Sequence, residues 1–216
     1  MTEKIERTLL RDVAYTQIME AIVNGVLKPG EHLKDDELAQ WLGMSRAPIR
    51  DALGRLVGTH VVEMVPNRYT RVAPIDPIQI AQAVVTQLQF FCLVIEQAFP
   101  NLDKHSLALL ERINQDVVAA METNDSYAFV IRTGDYLREL TQISGNKFLY
   151  ECIQQCAPMV NRIMDLPESI VAPEAIFSRW LSIHAATMAG NGAEAIREIR
   201  DFMEPLQDFL RTRNAG

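Results

Sequence analysis

Residues 45–56 read SRAPIRDALGRL, and residues 61–73 read VVEMVPNRYTRVA. In the first of these, apolar side chains recur at i, i+3, i+4 and i+7: Ile49, Ala52, Leu53 and Leu56. This spacing predicts an amphipathic helix, with Ser45 as its N-cap. The second segment is β-branched and is interrupted by Pro66-Asn67, so it predicts two short strands joined as a hairpin.

Two more helices are predicted before this segment. Residues 12–24 place four apolar side chains on one helical stripe before Gly25: Ala14, Ile18, Ala21 and Ile22. Asp35 or Asp36 can cap a second helix, which ends at Gly43 and turns three side chains inward: Leu38, Trp41 and Leu42. Three helices followed by a hairpin are typical of a winged helix-turn-helix, in which the last helix enters the major groove of DNA.

Charge is distributed unevenly along the chain. The sequence has 21 Lys and Arg against 28 Asp and Glu, a formal net charge of −7, which by itself argues against a nucleic-acid partner. Residues 1–74 hold ten basic and ten acidic side chains, so residues 75–216 carry the whole excess. Residues 44–72 hold five arginines against two acids, a net of +3. The PIDP segment, residues 74–77, is the predicted junction between a domain of residues 1–74 and one of residues 75–216.

Arg46 and Arg50 lie one turn apart on the predicted outer face of the third helix. They are close to the helix N-terminus, which also favours phosphate. An arginine fork can read guanine in the major groove, and Ser45 at the helix start can hold a phosphate. The alternative is that the two arginines are only solvated, but the surrounding turn and hairpin favour contacts with DNA.

Three motifs in this part of the chain resemble the N-terminal domain of the GntR family of bacterial transcription regulators, over roughly residues 12–73. They are I-x-x-G-x-L-x-P-G from Ile22, L-G-x-S-R-x-P-[VI]-R-[ED]-A-L from Leu42, and V-x-x-x-P-N-R from Val62. The resemblance implies contacts from the third helix to phosphates and bases, and from the wing tip to the minor groove. The implied DNA-binding residues are Ser45, Arg46, Pro48, Arg50, Asn67 and Arg68.

Two positions depart from the family pattern. Asp36 stands where members carry an arginine that touches DNA, and Tyr69 replaces a glycine at the wing tip. Asp36 removes a phosphate partner and adds repulsion, so we expect a lower affinity or a different operator.

The rest of the chain has apolar residues at helical spacing, which predicts an all-helical bundle of six or seven helices. The predicted helices cover residues 78–99, 106–121, 126–143, 147–166, 174–188 and 193–210. An all-helical domain behind such a head resembles the FadR subfamily, whose effector-binding and dimerisation domain is called FCD. The fold class is therefore mainly α, a winged helix-turn-helix followed by a helical bundle.

Many members of that subfamily bind a metal with one Asp and three His in the bundle. The resemblance places Thr133, Leu137, Leu181 and Met203 at these four positions. None of them is a metal ligand, although His184 stands one turn after Leu181. We therefore expect no metal and no other cofactor, and a pocket more apolar than is usual in the subfamily.

The candidate effector pocket combines those positions with polar side chains that could anchor an acidic ligand. Its residues are Arg132, Thr133, Leu137, Asn161, Arg162, Leu181, His184 and Met203. For His184 the alternative is a core imidazole whose nitrogens are already hydrogen-bonded.

The sequence predicts a ligand-responsive DNA-binding regulator, a repressor of a metabolic operon. We expect it to bind a palindromic operator as a homodimer and to respond to a small acidic metabolite. Two alternatives stay open: a metal-dependent regulator, and a constitutive DNA-binding protein whose pocket is filled by Leu137, Leu181 and Met203. Catalysis is not expected, because the sequence offers no nucleophile–base pair, no HExxH and no glycine-rich phosphate loop.

We expect a cytoplasmic location and no membrane partner. Three cysteines do not make a disulfide framework and fit a reducing compartment. No run of about 18 uninterrupted apolar residues is present, and the start MTEKIERTLLRD lacks the apolar core of a signal peptide.

Overall fold

A computed structural model describes residues 9–214 of the chain. The described residues divide into two compact units with the boundary between residues 75 and 76, which are called the head and the body below. Most of the charged start, from which we expect no signal peptide, lies outside the described residues.

The head contains three helices and a two-stranded antiparallel hairpin, which confirms the predicted winged helix-turn-helix. The elements are α1 (Leu10–Val23), α2 (Asp35–Leu42), α3 (Arg46–Gly58), β1 (Val62–Val65) and β2 (Tyr69–Val72). In the hairpin, Val62 pairs with Val72 and Val65 with Tyr69. Asn67 takes a φ of 58° at the tip, a left-handed conformation that asparagine tolerates better than most residues.

The core of the head forms where α1 packs against α3. The buried side chains of these helices are the ones predicted from the spacing: Ala14, Ile18, Ala21, Ile22, Ile49, Ala52, Leu53 and Leu56. Trp41 corrects the prediction for α2, because it is 52% exposed while Leu38 is buried. The eight-residue α2 packs mainly against α3, so only the Leu38 side of this short helix reaches the core.

The predicted helix caps are only partly correct. Ser45 occupies the N-cap position of α3 with an extended backbone, but its side chain makes no capping hydrogen bond. The N-cap of α2 is Lys34, not Asp35 or Asp36, which lie in the first helical turn. Both aspartates contact α3 instead, as described below.

The wing is hydrogen-bonded along both edges of β2. On the side away from β1, Leu33 N donates to Thr70 O over 2.8 Å, and Val72 N donates to Glu31 O over 2.9 Å. His32 and Arg71 form an antiparallel bridge between these bonds. The segment between α1 and α2 therefore holds the hairpin in place.

The body contains six helices in the described residues, which confirms the all-helical prediction. They are α4 (Pro77–Ala98), α5 (Lys104–Glu122), α6 (Ser126–Ile143), α7 (Lys147–Val160), α8 (Pro173–Met188) and α9 (Gly192–Asn214). The predicted helix over residues 147–166 is wrong at its end, because α7 stops at Val160 and a 3₁₀ turn covers Ile163–Asp165. The amide of Arg162 bonds to Met159 O, three residues back, so the α-helical ladder ends there.

α4 runs through the core of the body, where it packs against α7 and α9. Within Pro77–Asn101 an 18-residue window has a mean hydropathy of 1.7, so by length and composition the helix could cross a membrane. The sequence-based expectation, which counted only uninterrupted apolar runs, did not identify it. A core helix passes the same test, and the side chains that α4 buries, among them Ile80, Val84, Phe91 and Ile95, place it in the core.

Candidate DNA-reading surface and effector pocket

The two arginines predicted to read DNA lie on the exposed face of α3. The side chain of Arg46 is 62% exposed and that of Arg50 is 67% exposed. Arg50 Nε donates to Asp35 Oδ2 over 2.5 Å, and Arg46 Nε contacts Asp36 Oδ1. Both carboxylates come from the first turn of α2, so each recognition arginine carries an acidic partner from the neighbouring helix.

An open groove of about 560 Å³ lies between α3 and the wing. Arg50 contributes to its wall on the helix side, and Asn67 and Arg68 contribute on the wing side. Ser45 is exposed and Pro48 half-buried near the start of α3. The fold therefore brings Arg50, Asn67 and Arg68 to one groove, and places Ser45, Arg46 and Pro48 at the start of the same helix.

The net charge of +3 counted along residues 44–72 overstates the positive charge of this surface. Arg55 turns away to α1, where Nη1 lies 2.5 Å from Asp12 Oδ1 and the guanidinium stacks 4.4 Å from the Tyr15 ring centroid. Arg71 pairs with Glu63 across the hairpin. Of the five arginines, only Arg68 has no ion-pair partner among residues 9–214. Sequence counting missed this because Asp12, Asp35 and Asp36 lie outside the counted window.

The body contains a partly open apolar cavity of about 120 Å³ between α4, α6, α7 and α8. Its apolar lining includes Val84, Phe91, Phe129, Leu137, Ile153, Ile176 and Trp180. Thr133 and Asn161, both predicted, add polar groups to the wall. Gly134 also lines the cavity, and a Cβ placed there would meet no atom within 4 Å.

The other predicted pocket residues lie elsewhere. Leu181 is 45% exposed and Met203 is buried, and neither lines the cavity, nor do Arg132, Arg162 and His184. The lining face of α8 is Ile176, Arg179, Trp180 and Ile183, at i, i+3, i+4 and i+7. Leu181, five residues after Ile176, falls on another face, so the family alignment misplaces the pocket face of this helix.

His184 is a hydrogen-bonded core residue. Its Nδ1 lies 3.1 Å from the hydroxyl of Tyr136, and its Nε2 lies 3.1 Å from Glu111 Oε2. Trp180 packs edge-on against Tyr136 with ring centroids 4.9 Å apart, and its Nε1 donates to Asn114 Oδ1 over 2.9 Å. Burial raises the pKa of the Tyr136 hydroxyl far above its usual value of 10, so the hydroxyl remains protonated.

The residues that the resemblance assigns to the family's metal positions are not metal ligands. Thr133 and Leu137 line the cavity, whereas Leu181 and Met203 do not. Within residues 9–214 no group of three or more His, Cys, Asp and Glu side chains is arranged to hold an ion. The donor set that such a site requires is therefore missing from the described part of the body.

Two arginines of the cavity wall were not predicted. Arg138 contacts Asp135, a carboxylate that also accepts from Arg132 over 3.1 Å. Arg179 lies 2.5 Å from Glu198 and 3.6 Å from Asp201 on α9. Arg179 could have been found from the helical spacing of Ile176, Arg179 and Ile183. Arg138 follows directly after Leu137, and no spacing signal singles it out.

The head is a winged helix-turn-helix with two arginines on the exposed face of its third helix, and the body is a helical domain with an apolar cavity. This combination defines the class of one-component transcription regulators, in which one chain carries a DNA-binding domain and an effector-binding domain. A family model described as bacterial regulatory proteins, gntR family, matches residues 10–72, and a model of the FCD domain matches residues 92–205. The chain belongs to the GntR family and carries an FCD domain.

Individual relatives agree with this assignment. The chain is 22% identical over 148 residues to the uncharacterized HTH-type transcriptional regulator YdhC of Bacillus subtilis, covering 68% of this chain and 66% of that protein. It is 21% identical over 212 residues to the HTH-type transcriptional repressor RspR of Escherichia coli, covering 98% and 89%. The solved structure of E. coli McbR/YncC superposes with a TM-score of 0.75 at 22% identity, over 96% of this chain and 99% of that one. This last similarity shows the shared fold.

Proposed function

We propose that the protein is a metabolite-responsive repressor that binds a palindromic operator as a homodimer. The observation that carries the proposal is the groove shared by the recognition helix and the wing tip, with Arg50, Asn67 and Arg68 on its walls. An arginine on such a helix suits the major groove, and an unpaired cation at a wing tip suits a neighbouring minor groove. The similarity to a protein named as a repressor supports that sign of regulation.

Dimerisation follows from the geometry of this kind of DNA binding. One head reads only a few base pairs, and two heads on half-sites about one helical turn apart give a twofold-symmetric operator. The acidic body suits this arrangement, because it is repelled by the phosphates and leaves the heads to make the contacts. We expect a native mass of twice 24.4 kDa.

The effector that the cavity supports is a small organic acid with an apolar portion. A cavity of about 120 Å³ is close to the engineered cavities of about 150 Å³ that hold a benzene ring. At Asp135, two guanidinium groups, those of Arg132 and Arg138, share one carboxylate, so the excess charge at this point of the wall is positive. Arg138 at the wall is therefore the proposed anchor for the acid group.

The metal-dependent and constitutive alternatives are less well supported. A metal-dependent effector site would need ligands that the described body does not bring together. A self-filled pocket would need Leu181 and Met203 to occupy the void, and neither lines it. We propose a metal-free, cofactor-free pocket. The relatives are regulators, which supports a non-enzymatic cytoplasmic protein without a membrane partner.

The DNA-binding part is tested by selecting a duplex from a randomised pool with the wild-type protein. The affinity for this duplex is then compared between the wild-type protein and Arg50→Ala. Loss of a base contact should weaken the selected duplex by about 1–3 kcal/mol and relax one position of the site. A protein that remains a 24.4 kDa monomer with and without this duplex would contradict the dimer model.

The effector part is tested by a thermal-shift screen of aromatic and aliphatic monocarboxylates and their neutral amides. A ligand that binds only the folded body raises its unfolding temperature, and a true effector also changes the affinity for the selected duplex. Gly134→Leu, which adds a side chain at the wall, should abolish both effects. If only neutral compounds stabilise the protein, the acidic class is wrong. A response to acids that Arg138→Gln does not weaken would remove Arg138 as the anchor.

A further inference from the structure

Two ion pairs connect the start of α2 to the recognition helix. Asp35 pairs with Arg50 and Asp36 pairs with Arg46, and both arginines are exposed on α3. Together the four side chains carry two positive and two negative charges. The face that is expected to meet polyanionic DNA is thus close to neutral, and Arg68 at the wing is its only arginine without a carboxylate partner in the described residues.

Stability of the head does not explain these pairs. Arg46, Asp36 and Arg50 have side chains that are 62–67% exposed, and ion pairs this accessible contribute little to folding because water screens them. Neither aspartate caps α2, whose N-cap is Lys34. The ion pairs themselves therefore contribute little to folding, whereas each one directly reduces the positive charge that its arginine presents to a ligand.

The geometry of the pairs discriminates between two kinds of DNA contact. In each pair Nε makes the contact to the carboxylate, and the terminal nitrogens carry the N–H groups that a guanine O6 and N7 need. A base contact is therefore compatible with the ion pair. A phosphate, in contrast, brings a second anion beside the carboxylate and competes for the same charge.

We propose that Asp35 and Asp36 are specificity determinants that weaken binding to DNA in general more than binding to the operator. This inference rests on the proposed DNA contact by Arg46 and Arg50. Non-specific binding comes almost entirely from phosphate neutralisation, so it loses most when the cations are already paired. Specific binding keeps its base contacts and loses less. The ratio of the two affinities is therefore raised by the two aspartates.

The test compares Asp35→Asn and Asp36→Asn with the wild-type protein on two duplexes. One is the duplex selected from a randomised pool, and the other is a scrambled duplex of equal length and composition. Glu37→Gln is the matched control, because it removes one carboxylate from the same turn, but Glu37 pairs with Lys34 at 2.7 Å and not with a recognition arginine. Circular dichroism and the unfolding midpoint show whether each variant folds normally.

Each aspartate variant should bind the scrambled duplex about three- to tenfold more tightly, with a salt slope steeper by about 0.9 for each phosphate gained. Its affinity for the selected duplex should change less, so the specificity ratio falls. Glu37→Gln should leave the ratio unchanged. An equal gain on both duplexes, or the same result from Glu37→Gln, would reduce the effect to general charge and overturn the proposal.

A loss of affinity for the selected duplex alone would also overturn it, since the aspartates would then be positioning residues. A failure of the proposed function would give different results. The wild-type protein would then select no duplex, or Arg50→Ala would bind the selected duplex as well as the wild-type protein does.

Discussion

The hydroxyl of Tyr136 on α6 lies 3.1 Å from Nδ1 of His184 on α8, inside the body. Tyr136 is fully buried and His184 is 8% exposed. The other imidazole nitrogen contacts Glu111 on α5, so one short chain of polar groups connects three helices. Because a buried polar group is costly when it loses its partner, this chain fixes how the three helices fit together.

Tyr136→Phe should lower the free energy of unfolding of the body by about 1–3 kcal/mol, because His184 Nδ1 loses its buried partner. The measurement is urea unfolding followed by Trp180 fluorescence in a Trp41→Phe background, which leaves one tryptophan. Tyr127→Phe is the control, since Tyr127 makes no hydrogen bond through its hydroxyl within residues 9–214. Equal stability of the two variants would show that the Tyr136–His184 contact contributes nothing.

The same tyrosine should make stability depend on alkaline pH. Burial raises the pKa of Tyr136 above the usual 10, so the folded body holds this proton more tightly than the unfolded chain does. This contribution is complete below about pH 10 and decreases as the pH rises above it, by about 1.4 kcal/mol per unit. Between pH 9 and 11 the free energy of unfolding should fall more steeply for the wild-type protein than for Tyr136→Phe. Parallel curves would contradict the assignment.

Two glycine substitutions should have opposite effects on stability. Gly134 lies within α6 and an added Cβ meets open space, so Gly134→Ala should stabilise the body by about 0.5–1 kcal/mol. Gly145 has a φ of 69°, so Gly145→Ala should destabilise it by about 1 kcal/mol or more. Unfolding midpoints of both variants test this pair. Destabilisation by Gly134→Ala would mean that the glycine is required for packing.

Removal of metal should not change the body. Elemental analysis after dialysis should find less than stoichiometric zinc, nickel and manganese, and a chelator should leave the unfolding midpoint unchanged. The reason is that no group of three or more His, Cys, Asp and Glu side chains within residues 9–214 is arranged to hold an ion. Stoichiometric retention of any of these metals would overturn the proposed metal-free pocket.

Arg68→Ala should weaken binding to the selected and the scrambled duplex alike, because it removes a cation that contacts a phosphate or the minor groove. The slope of log affinity against log salt concentration should become shallower by about 1. Arg55→Ala is the matched control, since Arg55 is paired with Asp12 on the other side of α3. It should affect the stability of the head and leave the slope unchanged. A slope unaffected by Arg68→Ala would place the wing tip off the DNA.

The fold could be predicted from the sequence because its determinants are local. The spacing of Ile49, Ala52 and Leu53 already defines the buried face of α3. The site was harder, because its residues meet through tertiary packing. No local pattern reveals that Asp35 reaches Arg50 fifteen positions away, or that Arg55 turns to Asp12.

The pocket was recovered only in part for the same reason. Of the predicted pocket residues, Thr133, Leu137 and Asn161 line the cavity. The face of α8 was misplaced because a pocket wall depends on helix rotation, which a shift of one residue changes by about 100°. Leu181 was assigned to the cavity on that basis, whereas the neighbouring Trp180 lines it.

The hydrogen bonds on both edges of β2 have a consequence for how such a head can diversify. The main chain from Thr70 to Val72 is hydrogen-bonded on both sides, whereas at the tip, residues 66–68, the described part of the chain shows one main-chain bond, from Arg68 N to Val65 O. Residues 66–68 therefore form a loop that can be replaced while the strands of the hairpin keep their hydrogen bonds. Grafting the tip of another family member onto this head should transfer its minor-groove preference without refolding the hairpin.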